Sequence, residues 1–136
     1  MGIGNWFVSA LLQSPLHRLM SGSVNLVRYR GQRSGRQITT PSQYATHGSD
    51  IVILVARHES KTWWRNFVGE RDIDVLISGV WRPMTGRAIM GADKPELAAA
   101  LIESYLHKFP KAKQILGGLG PEAAAKHAVL VQCRPR

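Results

Sequence analysis

"GQRSGRQITTP", Gly31 to Pro41, is the stretch on which the reading of this chain turns. It follows a run that reads as a strand, Val24 to Arg30, and leads into a second one, Gln37 to Tyr44. A two-residue Asn-Gly turn would close an antiparallel hairpin more simply. Here Arg33 and Arg36 instead flank a Ser34-Gly35 pair. Guanidinium groups supply forked donors, and consecutive amides of a tight turn point inward as an anion nest, so the loop matches a phosphate. A basic hairpin tip in solvent, with Gly35 at positive φ, explains the same residues, and the loop alone leaves both readings open.

Outward from the loop, the pattern is β-rich. "SVNLVRY", "QITTPSQY" and "DIVILVA" carry β-branched and aromatic residues between glycine turns, the later one at His47-Gly48. Pro41 lacks an amide donor and places the second run at an edge or bulge. In "SKTWWRNF", Ser60 or Thr62 is positioned to cap a short helix. "DIDVLIS" and "VWRPMTGRAIM" form a hairpin about Ser78-Gly79, and "HAVLVQC" is a final strand. Between them, Asp93, Pro95 and Glu96 open a helix with capping-box spacing from Asp93 to Glu96. Its apolar stripe is Leu97, Leu101, Tyr105 and Leu106, and it ends at Phe109-Pro110. About six mostly antiparallel strands with helices packed outside predict an α+β fold, a split β-barrel.

The 136 residues suit one domain spanning 1–136, with residues 1–21 as an N-terminal helical segment. Residues 5–13 read as a helix with Trp6, Val8, Leu11 and Leu12 on one face, and a short turn from Leu16 to Met20 follows Pro15. The apolar run is too short for a membrane span and lacks the flanks of a signal peptide. It packs on the barrel, covers a site, or lies on the inner face of a membrane. Eighteen Lys and Arg against nine Asp and Glu give a net charge of +9, which points to an anionic partner. A single cysteine, Cys133, excludes a disulfide framework and fits a cytoplasmic location. His17, His47, His58, His107 and His127 share no ligand spacing, so no metal site is expected. No Ser-His-acid arrangement follows from spacing, and no recognisable nucleic-acid motif accompanies the charge.

The order G-x-R-S-G-R-x-x-T-T-P-x-x-Y, a strand, K-T-W-W-R-N-F and a hairpin resembles the deazaflavin-dependent nitroreductase family, part of the flavin/deazaflavin oxidoreductases of split-barrel fold. The resemblance covers Leu16 to about Arg87 in ordered motifs. It implies hydride transfer from reduced coenzyme F420, an 8-hydroxy-5-deazaflavin whose tail carries a phosphate and several glutamates. Arg33, Ser34, Gly35 and Arg36 would then hold the phosphate, while Thr39, Thr40 and Pro41 run beside the ring system. Ala56 and Arg57 would offer backbone groups to its polar edge. Trp63 and Asn66 would bound the site, with Lys61 and Thr62 beside them. A donor such as Tyr44, Arg57 or Tyr29 would polarise the acceptor, an activated double bond, a nitro group or a quinone-like apolar molecule.

Departures narrow this reading. Many relatives carry a longer loop before the Trp than "RHESKTWW", and Ile38 stands where some have a basic residue. FMN, FAD or haem in the same barrel, a non-catalytic deazaflavin-binding protein and a basic nucleic-acid module are the alternatives, and pairing into a homodimer stays open.

Overall fold

The computed structural model describes residues 24–136. The expected helix over residues 5–13, and with it the predicted membrane contact, lies outside them, as does the turn at residues 16–20. The described elements are β1 (Val24–Arg30), β2 (Gln37–Gln43), β3 (Ala45–His47), β4 (Asp50–Leu54), β5 (Arg71–Ile77), β6 (Val80–Met90) and β7 (Val129–Pro135). Helix α1 (Pro95–Lys108) and the short α2 (Pro121–Ala125) join β6 to β7, and a tight 3-10 turn occupies Trp63–Phe67.

Seven strands form one antiparallel sheet in the order β2-β1-β5-β6-β7-β4-β3. The two edge strands, β2 and β3, are separated in the chain by Tyr44 alone. Neighbouring residues cannot sit at opposite ends of a flat seven-stranded sheet, so the sheet curls until its edges meet, and β2 approaches β4 across the seam. This is the α+β split barrel, with one strand more than the six expected. β3 was hidden because no glycine or proline marks the break at Tyr44.

Both faces of β4 are covered, which is why "IVILVA" is continuously apolar. Ile51, Ile53 and Val55 point into the barrel with Val27, Tyr29, Val75, Val131 and Phe67. Val52 and Leu54, of opposite parity, pack beneath α1 and α2 with Leu101, Ile102 and Ala124. Gly86 and Gly91 serve close packing: a Cβ on Gly86 would press against the Phe67 ring, and one on Gly91 would fall inside the Ala125 carbonyl. At the β5–β6 hairpin Ser78 and Gly79 both have positive φ, 52° and 79°, as a two-residue primed turn requires.

Thr62 takes the expected N-cap position of the Trp63–Phe67 turn, but neither predicted side-chain cap bond forms. Lys94, not Asp93, is the N-cap of α1, with Pro95 at its first position and no side-chain cap. The chain leaves β6 through a turn in which the Asp93 and Lys94 amides both donate to Met90 O, which sets Asp93 one residue too early for the box. Thr62 precedes the 3-10 turn, but its backbone carbonyl, accepting from Arg65 N–H at 3.0 Å, closes the turn. The Ser60 hydroxyl donates back to Arg57 O.

Candidate functional site

The seam where the barrel edges meet leaves a slot of about 410 Å³. Strand pairing decides its lining. Tyr29 lies opposite Ile38, Val27 opposite Thr40 and Asn25 opposite Ser42, so these side chains share the face turned toward the seam. Tyr29, Ile38, Thr40 and Ser42 line one wall, Ile53, Val55 and Ala56 the other, and Trp63 and Lys61 one end. Tyr105 from α1 and Ile115 beyond it complete the slot. The walls are mostly apolar with a few polar atoms, the composition of a site for a flat organic group.

The Arg-Ser-Gly loop forms a second cleft of about 440 Å³, lined by Gly31, Gln32, Arg33, Ser34, Thr62, Arg65 and Asn66. Its backbone is tightly closed. Gly31 N–H donates to Arg36 O, Gly35 N–H to Gly31 O, and Ser34 Oγ accepts from Arg36 N–H at 3.2 Å. Gly35 takes φ +68°, where a side chain is disfavoured. Arg30 donates to Gly35 O at 3.0 Å and braces the tip. Neither Arg33 nor Arg36 has a carboxylate partner among the described residues. Exposed cations above a glycine-shaped turn suit an anion.

The Trp63–Phe67 turn joins the two depressions. Trp63 and Lys61 face the slot, whereas Thr62, Arg65 and Asn66 face the loop cleft. Trp64, 7 % exposed, is the core member of the pair and donates its indole N–H to His58 O at 3.0 Å. Trp63 and Phe67 both pack on Tyr29, with ring centroids 6.4 and 5.3 Å away. Asn66 does not share a site face with Trp63. Its Nδ2 donates to Trp63 O at 2.8 Å and its Oδ1 accepts from Gln32 N–H at 2.7 Å, so it pins the loop.

Other expected residues are dispersed. Thr39 pairs with Arg28 on the opposite face of β2 from Thr40 and is not part of the slot lining. Pro41 borders the slot, on the edge strand its missing donor predicts. Arg36 is exposed and lines neither depression. Arg57 follows Ala56 in left-handed backbone geometry, φ 51° and ψ 51°, and lines an adjoining cleft with Ile115. A non-glycine residue held there stores strain of the kind that collects at functional sites. Tyr44 is 6 % exposed and lies outside the slot lining, with Lys108 Nζ 3.9 Å above its ring.

Burial raises the Tyr29 hydroxyl above its usual range. It does the same at Tyr44, against the opposing pull of Arg82. Burial also lowers the Lys108 ammonium, which donates to Tyr44 O at 2.9 Å. Among the described residues, no three His, Cys, Asp or Glu side chains gather as metal ligands. A groove of about 500 Å³ on β1 and β5 mixes both charges, and its Arg28–Asp74 pair at 3.2 Å satisfies part of them internally.

Arg65, Tyr105 and Ile115 join the site beyond the residues that the sequence singles out. Arg65 sits inside the quoted "TWWRNF" motif and was legible there; Tyr105 and Ile115 come from the far half of the chain and carry no local signal.

A family described as F420H(2)-dependent quinone reductase matches residues 8–112. Among solved structures, an F420-H2 Dependent Reductase (FDR-A) is similar at TM-score 0.64 and 12% identity, over 82% of this chain and 94% of that one. A chain described as a domain-swapped dimer is similar at TM-score 0.58 and 10% identity, over 93% and 99%. HutZ, a haem storage protein from Vibrio cholerae, is similar at TM-score 0.54 and 11% identity, over 96% and 88%. At these identities the structures show the shared fold. No curated protein matches the sequence.

Proposed function

The chain belongs to the F420H(2)-dependent quinone reductase family and is an F420-dependent oxidoreductase, and we propose that its seam slot brings the deazaflavin ring and a quinone-like acceptor together. The observation that carries this reading is the Trp63–Phe67 turn, which forms the common wall of an apolar slot and a cationic loop cleft.

The residues fit the cofactor. Arg33 and Arg65 meet its phosphate across the closed loop, with the Ser34 side chain lining the same cleft, and Arg36 adds charge nearby. Lys61 stands at the end of the slot, next in the chain to Thr62 of the cleft. Trp63, Ile38 and Val27 give the ring system apolar walls, and Thr40 and the backbone at Ala56 give its edges polar partners. The glutamate tail accords with the +9 surplus. When bound in its reduced form, the deazaflavin supplies a hydride.

The protein's own contribution is orientation, exclusion of water and one proton donor. Tyr29 lines the slot and carries a phenol, protonated at neutral pH, so it serves to polarise an acceptor oxygen as charge develops on it. Arg57, at the adjoining cleft, adds positive potential near the mouth. Tyr44 supports the fold behind the slot in place of the acceptor contact expected from sequence.

Parallel fluorescence titrations with oxidised F420 and FMN test the cofactor reading, followed by reduction of a short-chain quinone by reduced F420. Tighter binding of F420 and enzyme-dependent quinone loss are expected. FMN binding as tight as F420 would overturn the site assignment.

A further inference from the structure

Beyond α1 runs the segment "ILGGLG", Ile115 to Gly120. Leu116 packs against the helix-side core, yet Ile115 and Leu119 are 53 and 43 % exposed. Gly117 and Gly118 make this possible, with φ of +68° and +77°, and the turn is closed by Gly118 N–H donating to Lys113 O at 2.9 Å. Ile115 and Leu119 line one cleft with Arg57 and His127, and Ile115 also borders the slot beside Lys61 and Trp63. Lys111 and Lys113 lie on the turn that leads into Ile115. Ile115 thus stands at the edge of the slot with Lys61, and Leu119 beside it in the adjoining cleft with Arg57, where Glu59 is the acid; Lys111 and Lys113 precede them in the chain by two to eight residues.

We propose that this loop docks the protein on an anionic lipid surface, with Ile115 and Leu119 entering the boundary between headgroups and acyl chains. Cations around an apolar tip complement such a surface. Two aliphatics without an aromatic anchor are far short of the area and central cluster of a stable protein interface, which favours lipid over an acidic protein. Docking in this pose sets the slot against the bilayer, so an apolar acceptor passes from lipid to Trp63 without crossing water. This last step rests on the quinone-like acceptor proposed above.

Co-sedimentation of the full chain with vesicles rich in phosphatidylglycerol, against pure phosphatidylcholine, tests the docking. Binding to the anionic vesicles is expected, with a loss of about tenfold or more on neutral lipid or in high salt. A Leu119→Ser/Lys111→Gln/Lys113→Gln variant, which leaves the slot lining intact, should lose vesicle affinity by about tenfold or more. Its reduction of a short-chain quinone in solution should be unchanged, while reduction of a long-chain quinone held in vesicles falls. Absence of vesicle binding, or a variant that binds as the parent does, overturns the docking surface. Vesicle binding that follows this pattern in a protein that reduces no quinone in either format supports the docking and overturns the acceptor reading instead.

Discussion

Asn66 holds Gln32 in place: its Oδ1 accepts from the Gln32 amide at 2.7 Å while its Nδ2 donates to Trp63 O at 2.8 Å. Residues 34 positions apart are thereby joined, and the loop cleft is fixed relative to the slot. Asn66→Ala removes both bonds, which at a partly exposed position should cost about 1 kcal/mol of stability. Because the loop then loses its register on the turn, F420 affinity should fall several-fold more than this loss of stability explains. Denaturant unfolding and fluorescence titration on the same variant measure the two effects, and an unchanged affinity would remove the loop from the cofactor site.

Arg33 lines the cleft and Arg36 does not, so they should contribute unequally. A charge-assisted phosphate contact is worth about 1.5 to 3 kcal/mol, so Arg33→Ala should weaken F420 binding by roughly tenfold or more. Arg36→Ala should have a smaller effect, reduced further by salt because the group is exposed. Circular dichroism of both variants should match the parent, since neither side chain enters the core. Equal effects in the two variants would contradict this division.

Tyr29 and Tyr44 make opposite kinetic predictions. Tyr29→Phe should lower kcat while leaving F420 affinity within a few-fold, as loss of a contact made in the transition state does. Tyr44→Phe should leave kcat close to the parent value. Tyr29 is raised above the ordinary tyrosine value of 10.0, so loss of its proton should not limit the rate at or below about pH 10. A pH–rate profile of the parent with an ionisation traced to Tyr29 well below that point would overturn the assignment.

Cys133 should act as an alkaline stability sensor. Burial, with a further contribution from Asp50, pushes its thiol from 9.0 up to about 12. Above pH 9 the unfolded thiol releases its proton while the folded one retains it. The unfolded state then binds fewer protons, and stability falls as pH rises from the unfolded value toward the folded one, by an amount on the order of a few kcal/mol at the limit. Cys133→Ala should cost stability at neutral pH through the cavity it leaves, yet show a shallower alkaline decline. Denaturant midpoints from about pH 8 to 11 read this difference. Equal slopes would place the alkaline sensitivity elsewhere, such as the buried tyrosines Tyr29, Tyr44 and Tyr105, which are also raised.

The local sequence determined the elements because turns and strands carry their own chemistry. Gly35, Gly48 and Ser78-Gly79 supply the positive φ that each reversal needs, and the β-branched runs between them become strands. The anion loop was legible for the same reason, as its Arg, Ser and Gly lie within six residues. Tertiary structure alone decided which residues share the site. Period-two alternation shows that Thr39 and Thr40 face opposite ways, but only the pairing of β1 with β2 and the curl of the sheet reveal that Thr40 and Tyr29 face the seam. The same curl buries Tyr44 outside the slot lining and brings Tyr105 and Ile115 from the far half of the chain to complete that lining. Asn66 likewise finds its partner across the fold. A strand's spacing records which side chains alternate; closure of the barrel, a property of all seven strands together, sets which of them meet.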